Sequence, residues 1–126
     1  MRTKPMAAVR MMELHDLIAA FAVIGSTGDG GVCRLAATSV DKTARDLFRH
    51  EISSRGLLSR VDPIGNMFGV AMLAPASRDV VIVGSHLDTQ PTGGRFDGAY
   101  GVLAGLLAVQ ALRNRNREHP VRKVKG

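Results

Sequence analysis

The feature that most constrains the fold is the run Val-Val-Ile-Val at positions 80–83, which contains no polar residue. Val and Ile favour extended backbone, and a strand with one face in water would alternate apolar and polar residues. A continuous β-branched run is instead typical of a strand buried on both faces of a sheet. The sequence therefore predicts a central strand here, covered on both sides by other elements.

Three segments have the apolar spacing of helices that pack on one face. Gly25 is expected to end the first, and a glycine-rich irregular loop over residues 25–34 follows it. In the second, Thr38 or Ser39 can cap the first turn and Gly56 suits the position after the last. The third is rich in Ala and Gly, so that it can press closely on a sheet. The expected ranges are residues 11–23, 41–54 and 102–112.

Two shorter segments, residues 57–61 and 67–72, are expected to form the strands of a hairpin. Pro63, Gly65 and Asn66 lie between them and are residues that tight turns favour. Helices, a hairpin and a central strand together predict an α/β fold class. The expected architecture is an incomplete layered domain with a central buried strand and flanking helices.

The formal net charge of +6 raises the possibility of nucleic-acid binding. From residue 113 onward there are six basic residues against one acid, Glu118, so the rest of the chain is nearly neutral. Residues 113–126 are expected to form a basic, disordered tail, and nucleic acid is not the expected partner, because the tail has no aromatic residue for base stacking. The single cysteine, Cys33, excludes an internal disulfide and fits the cytoplasm. No apolar run approaches the roughly 20 residues that cross a bilayer, so a membrane partner is not expected.

Candidate chemistry lies directly after the β-branched run, where ligands bind in open α/β sheets. His86 is of a type that binds zinc and related ions when a partner fixes its tautomer. Asp88, two positions on, can project to the same side and act as that partner. Asp97 follows a glycine-rich loop that permits a path back toward His86. A carboxylate can bridge two cations, and two metals about 3.5 to 4 Å apart are a usual apparatus for amide hydrolysis.

Each of these residues also has a plainer interpretation. His86 can be an ordinary histidine at a strand end, Asp88 can stabilise a turn, and Asp97 can cap the third helix. For any one residue alone the plainer interpretation is preferable. The three together favour a metal site, and Gly98 and Gly101 would let the third helix start close beside it.

Three motifs carry a family resemblance that spans residues 25–112. The sequence resembles the M20-type amidohydrolases of the ureido group, which includes N-carbamoyl-L-amino acid hydrolases, allantoate amidohydrolases and β-ureidopropionases. The third motif is specific to this group because of its Gln-Pro-Thr-Gly-Gly continuation. The motifs are Gly-Gly-Val-Cys-Arg at 30–34, Asp-Pro-Ile-Gly-Asn at 62–66 and Gly-Ser-His-Leu-Asp-Thr-Gln-Pro-Thr-Gly-Gly-Arg-Phe-Asp-Gly at 84–98.

The resemblance implies that His86 is a ligand of one metal, Asp97 is the bridging metal ligand, and Asp88 is the catalytic carboxylate that supports His86. The implied cofactors are divalent metal ions, Zn or Mn, with two per site in the complete enzyme. The implied reaction is two-metal hydrolysis of linear amide or ureido C–N bonds in a small molecule that carries a carboxylate. A homodimer is implied for the complete enzyme, and residues 1–112 would be the amino-terminal part of its catalytic domain.

The family's Glu-Glu pair, which includes the general acid/base, and its two further histidine ligands have no counterpart here. His119, in the basic tail, is not counted as a ligand. Two protein ligands hold a metal poorly, and hydrolysis needs a base. The 126-residue chain is therefore expected to be inactive alone and to be a truncated or interrupted gene product. The alternative is a non-catalytic metal-binding or interaction module that retains half of the site.

Overall fold

The computed structural model describes residues 6–74 and 77–118, with side chains from residue 11 onward. Its helices and small antiparallel sheets form an α/β partial domain, which confirms the predicted fold class. The elements in chain order are α1 (Met6–Val23), β1 (Gly31–Val32), α2 (Ser39–Ser54), β2 (Leu58–Val61), β3 (Met67–Val70), β4 (Gly93–Gly94) and α3 (Ala99–Glu118).

The hydrophobic core lies among the apolar faces of the three helices, as their residue spacing predicted. Each fully buried Leu, Ile or Phe side chain stabilises the fold by about 1.5–3 kcal/mol relative to an exposed one. The helices thus form without a large sheet to pack on. The core residues are Leu17, Ile18 and Phe21 of α1, Ala44, Phe48 and Ile52 of α2, Val102, Leu103, Leu106 and Leu107 of α3, and Leu57 and Leu87 outside them.

The start and end of α2 follow local sequence rules. Thr38 is the N-cap, and its Oγ1 accepts a hydrogen bond from the Asp41 amide at 3.2 Å. The Asp41 carboxylate in turn accepts one from the Ala37 amide at 3.1 Å, so two amide groups that lack helical partners are satisfied. Gly56, just past the helix, has a φ of +67°, which glycine adopts without strain. The predicted cap at Thr38 and the predicted end at Gly56 are confirmed.

The predicted hairpin is also confirmed, because β2 pairs with β3 in antiparallel register from Leu58↔Val70 to Val61↔Met67. Asp62 organises its turn by accepting hydrogen bonds from the Ile64 amide at 3.1 Å and from the Asn66 amide at 2.8 Å. A turn closed by its own aspartate needs few contacts from the rest of the chain.

The predicted central strand at residues 80–83 is wrong for this structure. The four residues are 57–94% exposed, and the segment has no regular secondary structure. A strand needs neighbours that accept and donate its main-chain hydrogen bonds. Within the described ranges β2 pairs only with β3 and β1 pairs only with β4, so no strand lies beside this segment. Its β-branched composition favours extended backbone but does not supply a partner.

The expected irregular loop at residues 25–34 contains a short strand instead. β1 pairs with β4 through Gly31↔Gly94 and Val32↔Gly93, and Ser26 forms an isolated bridge to Val32. Two-residue strands are too short to show an alternation of apolar and polar residues, and one of them consists of glycines. The hydropathy pattern of the sequence therefore could not reveal this pairing. It brings the glycine-rich loop beside the loop that precedes α3.

α3 ends at Glu118 rather than near residue 112, so residues 113–118 are helical and not disordered. Arg113 Nη1 donates to the Arg55 carbonyl at 2.7 Å, and Asn116 Nδ2 donates to the Leu73 carbonyl at 2.8 Å. These contacts hold the polar end of α3 against the body. The rest of the predicted tail, residues 119–126, lies outside the described residues. No helix in the described part is both long and apolar enough to cross a membrane.

The cap of α2 provides a stability test. Thr38→Ala removes the oxygen that accepts from the Asp41 amide, and the free energy of unfolding is expected to fall by about 1 kcal/mol. Urea denaturation followed by circular dichroism measures the change. Thr43→Ala is the matched control, because Thr43 is an exposed residue inside the same helix, where Ala is the better helix former. Equal unfolding midpoints for the two variants would show that the cap contributes nothing.

Candidate metal centre

The segment that carries the candidate residues packs against the first turns of α3 at its glycines. A Cβ on Gly98 would clash with the His86 carbonyl oxygen and would lie 2.5 Å from Cε1 of its imidazole. A Cβ on Gly101 would lie 2.8 Å from the Ser85 Cβ. Gly98 also has a φ of +65°, which favours glycine. Gly98 and Gly101 thus let α3 start close beside His86 and Ser85.

The hydrogen bond at Nδ1 of His86 defines the tautomer of its neutral ring. Nδ1 lies 2.8 Å from the main-chain oxygen of Asp88. A carbonyl oxygen only accepts, so Nδ1 must carry the hydrogen and donate it. The lone pair of the neutral ring is then on Nε2, the nitrogen available to a metal. The Asp88 carboxylate is farther away, with Oδ1 at 3.5 Å from Nδ1, so the carbonyl makes the shorter contact. Support of His86 by the carboxylate itself stays a prediction.

Nε2 of His86 faces the Asp97 carboxylate, with Oδ1 at 3.9 Å. Ligands at roughly 2.0–2.2 Å from a zinc ion lie about 3.4 Å apart in tetrahedral geometry and at most about 4.3 Å apart. The distance is therefore compatible with one cation shared by His86 and Asp97. Both side chains are about half exposed, so an ion can reach them. The two residues fit a divalent metal as a pair.

A third protein ligand does not join this pair in the described ranges, where no group of three His, Cys, Asp or Glu side chains is suited to hold a metal ion. Asp88 lies at the Nδ1 side of the ring and Asp97 at the Nε2 side. The structure thus brings both aspartates to His86 but on opposite sides of it. The metal-ligand roles of His86 and Asp97 remain predictions.

The plainer role for Asp97, a side-chain cap of α3, is not what the described residues show. The Ala99 amide donates to the main-chain oxygen of Asp97, at 2.6 Å, and the carboxylate is directed to His86. The Asp97 amide donates to the Gly94 carbonyl at 3.0 Å, which closes the turn that returns the chain to His86. The glycine-rich loop therefore brings Asp97 back, as its composition suggested.

Arg34 is an important residue near the site that sequence reasoning did not single out. It is 2% exposed, and its Nε donates to the Leu87 carbonyl at 2.7 Å. Its Nη1 donates to the carbonyls of Phe21 at 2.9 Å and Ile24 at 2.7 Å, at the end of α1. Burial lowers the pKa of Arg34 from its ordinary value, while the charges of two nearby aspartates oppose this shift. The sequence signal that could have identified Arg34 is its position in the glycine-rich motif at residues 30–34.

Thr89 fastens the other side of the same loop to the chain around Arg34. Its amide donates to the Arg34 carbonyl at 2.7 Å, and its Oγ1 accepts from the Arg34 amide at 2.8 Å. The Thr89 hydroxyl is also 3.1 Å from the Val32 carbonyl, to which it can donate. Thr89 is buried, so these bonds are shielded from water. The loop that carries His86 and Asp88 is thus held to β1 and to α1.

The close packing at Gly98 provides a test of this geometry. Gly98→Ala places a methyl group against the His86 ring and puts a non-glycine residue at positive φ, which by itself costs about 1–3 kcal/mol. A clear fall in the urea unfolding midpoint is expected. Gly94→Ala is the control, because a Cβ there meets no atom within 4 Å. If both variants unfold at the same urea concentration, the packing of His86 on Gly98 is incorrect.

The chain is similar to known amidohydrolases, although no protein-family model matches it. An allantoate amidohydrolase from Bacillus subtilis is 43% identical over 101 residues, which are 80% of this chain and 24% of that protein. An N-carbamoyl-L-amino-acid amidohydrolase from Rhizobium meliloti is 40% identical over 111 residues, 86% of this chain and 27% of that protein.

The fold agrees with these sequence matches. The crystal structure of a hydantoinase/carbamoylase family amidase from Burkholderia ambifaria superposes with a TM-score of 0.78 at 48% sequence identity, over 83% of this chain and 26% of that one. The chain spans about a quarter of the length of the relatives it matches. By sequence and by fold, it is therefore a homologue of the allantoate and N-carbamoyl-L-amino acid amidohydrolases, the ureido group that its motifs predicted.

Proposed function

We propose that this chain carries the His86 and Asp97 part of a divalent-metal site in a hydrolase of linear amide or ureido C–N bonds. The observation that supports this most directly is the arrangement of His86, whose Nε2 is 3.9 Å from the Asp97 carboxylate while Nδ1 is bound by the Asp88 carbonyl. The names of the relatives, which specify allantoate and N-carbamoyl-L-amino acids, support a small substrate with a carbamoyl or ureido group beside a carboxylate.

The proposed cofactor is Zn or Mn, because an imidazole nitrogen and a carboxylate oxygen suit both ions. His86 and Asp97 would be the residues that hold the ion. Such ions, when bound, polarise the substrate carbonyl and lower the pKa of water. Asp88 keeps the imidazole in the tautomer that can bind. Asp97 brings the negative charge that a cation requires.

We propose that none of the described glutamates is the base for the reaction. Glu13 and Glu51 form ion pairs with Arg55, and Glu118 is the last residue of α3. None of these three described glutamates is bonded to His86 or Asp97. Hydrolysis needs a group within hydrogen-bond reach of the attacking water. The 126-residue chain alone is therefore proposed to be inactive.

Metal titration tests the site without requiring turnover. Calorimetry with Zn²⁺ or Mn²⁺ is expected to show weak binding that His86→Ala and Asp97→Asn each reduce. Loss of an outer partner of a metal ligand already costs about 10–100-fold in affinity, so loss of a ligand should cost at least as much. His50→Ala is the control, because His50 is exposed on α2. Binding that is the same in His86→Ala as in the unaltered chain would remove the assignment.

Ammonia release tests the proposed activity and its absence in this chain. With N-carbamoyl amino acids or allantoate and added Mn²⁺ or Zn²⁺, no release above that of His86→Ala is expected. Turnover that His86→Ala abolishes would refute the proposed inactivity and retain the site. Turnover that persists in His86→Ala and in Asp97→Asn would refute both.

A further inference from the structure

We propose that Arg34 is a positioning residue for His86, which it orients through the main chain of Asp88 so that Nε2 is presented to Asp97. Only the statement that Nε2 is a metal-binding atom rests on the proposed function. The orientation itself rests on hydrogen bonds of described residues.

Arg34 binds the main chain on both sides of Asp88. Its guanidinium Nε donates to the Leu87 carbonyl at 2.7 Å, which belongs to the peptide plane before Asp88. Its carbonyl accepts from the Thr89 amide at 2.7 Å, which belongs to the peptide plane after Asp88. One buried residue therefore fixes both planes that meet at Asp88.

The second of these planes contains the oxygen that holds His86. In a trans peptide the C=O and N–H groups lie in one plane and point in opposite directions. When the Thr89 amide points to Arg34, the Asp88 carbonyl must point away from Arg34. That carbonyl is 2.8 Å from His86 Nδ1. The main-chain hydrogen bond from the Thr89 amide to the Arg34 carbonyl thus determines where the Asp88 carbonyl, the acceptor for Nδ1–H of His86, lies.

The guanidinium is anchored at a rigid element, which makes it suitable for positioning. Its Nη1 donates to the carbonyls of Phe21 and Ile24, where α1 ends. The negative end of the helix dipole favours a cation there. The core side of α1 is buried, so these carbonyls are held in place by packing. Movement of the Asp88 loop would break bonds to a fixed helix end.

An apolar side chain could fill the space of Arg34 but could not orient a carbonyl. Burying a cation costs free energy, and replacing buried charges by apolar residues of similar volume is often neutral or stabilising. The guanidinium therefore acts mainly by orienting main-chain carbonyls. Its Nε–H donates to Leu87, and its Nη1 donates at the end of α1. Stability alone would not require that geometry.

The test reads the tautomer of His86 by long-range ¹H–¹⁵N correlation spectra of the whole ¹⁵N-labelled chain. The spectra are recorded at alkaline pH, because only a neutral imidazole has a tautomer to read. His86→Gln assigns the signals among the four histidines. The unaltered chain is expected to show hydrogen on Nδ1 and a free lone pair on Nε2. Arg34→Lys, which cannot reach Leu87 and the end of α1 together, is expected to show a mixture of both His86 tautomers. Arg34→Met is expected to show a larger fraction of the tautomer with hydrogen on Nε2.

Arg55→Lys is the matched control. The Arg55 side chain is 11% exposed and bonds to Glu13 and Glu51, and its Nε donates to Gln110 at 3.0 Å. It links helices without touching the site, so its replacement is expected to lower the unfolding midpoint and leave the His86 tautomer unchanged. A purely structural role for Arg34 would make the two lysine variants alike in both measurements.

The proposal is overturned if the unaltered chain carries its hydrogen on Nε2, or if a folded Arg34→Lys keeps the original tautomer. Should Arg34→Lys not fold, hydrogen exchange in the unaltered chain decides. A Thr89 amide that exchanges as fast as an exposed one would show that the bond to Arg34 is absent, and protection together with Nδ1–H would support the proposal. Neither readout involves metal or turnover. Failure of metal binding would therefore refute the proposed function and leave this result standing.

Discussion

The candidate site depends on the hydrogen bonds of the buried Arg34 guanidinium. Arg34 joins the end of α1 to the loop at Leu87, and its own main chain is bonded to Thr89. A cation away from water is costly unless its hydrogen bonds are satisfied, so the three carbonyls around it are held where they are. The loop between Leu87 and Thr89 consequently has little freedom. Asp88, and the His86 ring that its carbonyl binds, are therefore restricted in their movement as well.

Close packing on glycine supplies the second constraint. The imidazole of His86 lies on Gly98, where there is no space for a Cβ, and Ser85 lies in the same way on Gly101. The absence of two side chains allows α3 to approach the loop closely. The ring is therefore held by hydrogen bonding at Nδ1 and by contact at Gly98. The His86 side chain stays about half exposed, and its Nε2 faces the Asp97 carboxylate.

Local patterns predicted the helices and the hairpin well because their causes are local. The cap at Thr38 and the turn at Asp62 form bonds only with residues a few positions away. The central strand at residues 80–83 failed for the opposite reason, since β composition does not provide the neighbouring strand that pairing needs. The short β1–β4 pair was missed because it joins glycines about sixty positions apart, Gly31 and Gly94, without any periodic pattern. The end of α3 was placed too early because contacts from Arg113 and Asn116 to other segments extend it.

The sequence by itself determined which residues are candidates for chemistry and to which group of enzymes the chain is related. His86, Asp88 and Asp97 follow from residue type, glycine spacing and motif, all of which can be read along the chain. Tertiary structure alone decided three features of the site. His86 Nδ1 is bound by the Asp88 carbonyl rather than by its carboxylate, Nε2 faces Asp97, and Arg34 donates to the loop at Leu87. The physical reason is that a hydrogen bond has direction, and the bonds that direct this ring join Arg34 to residues more than fifty positions away.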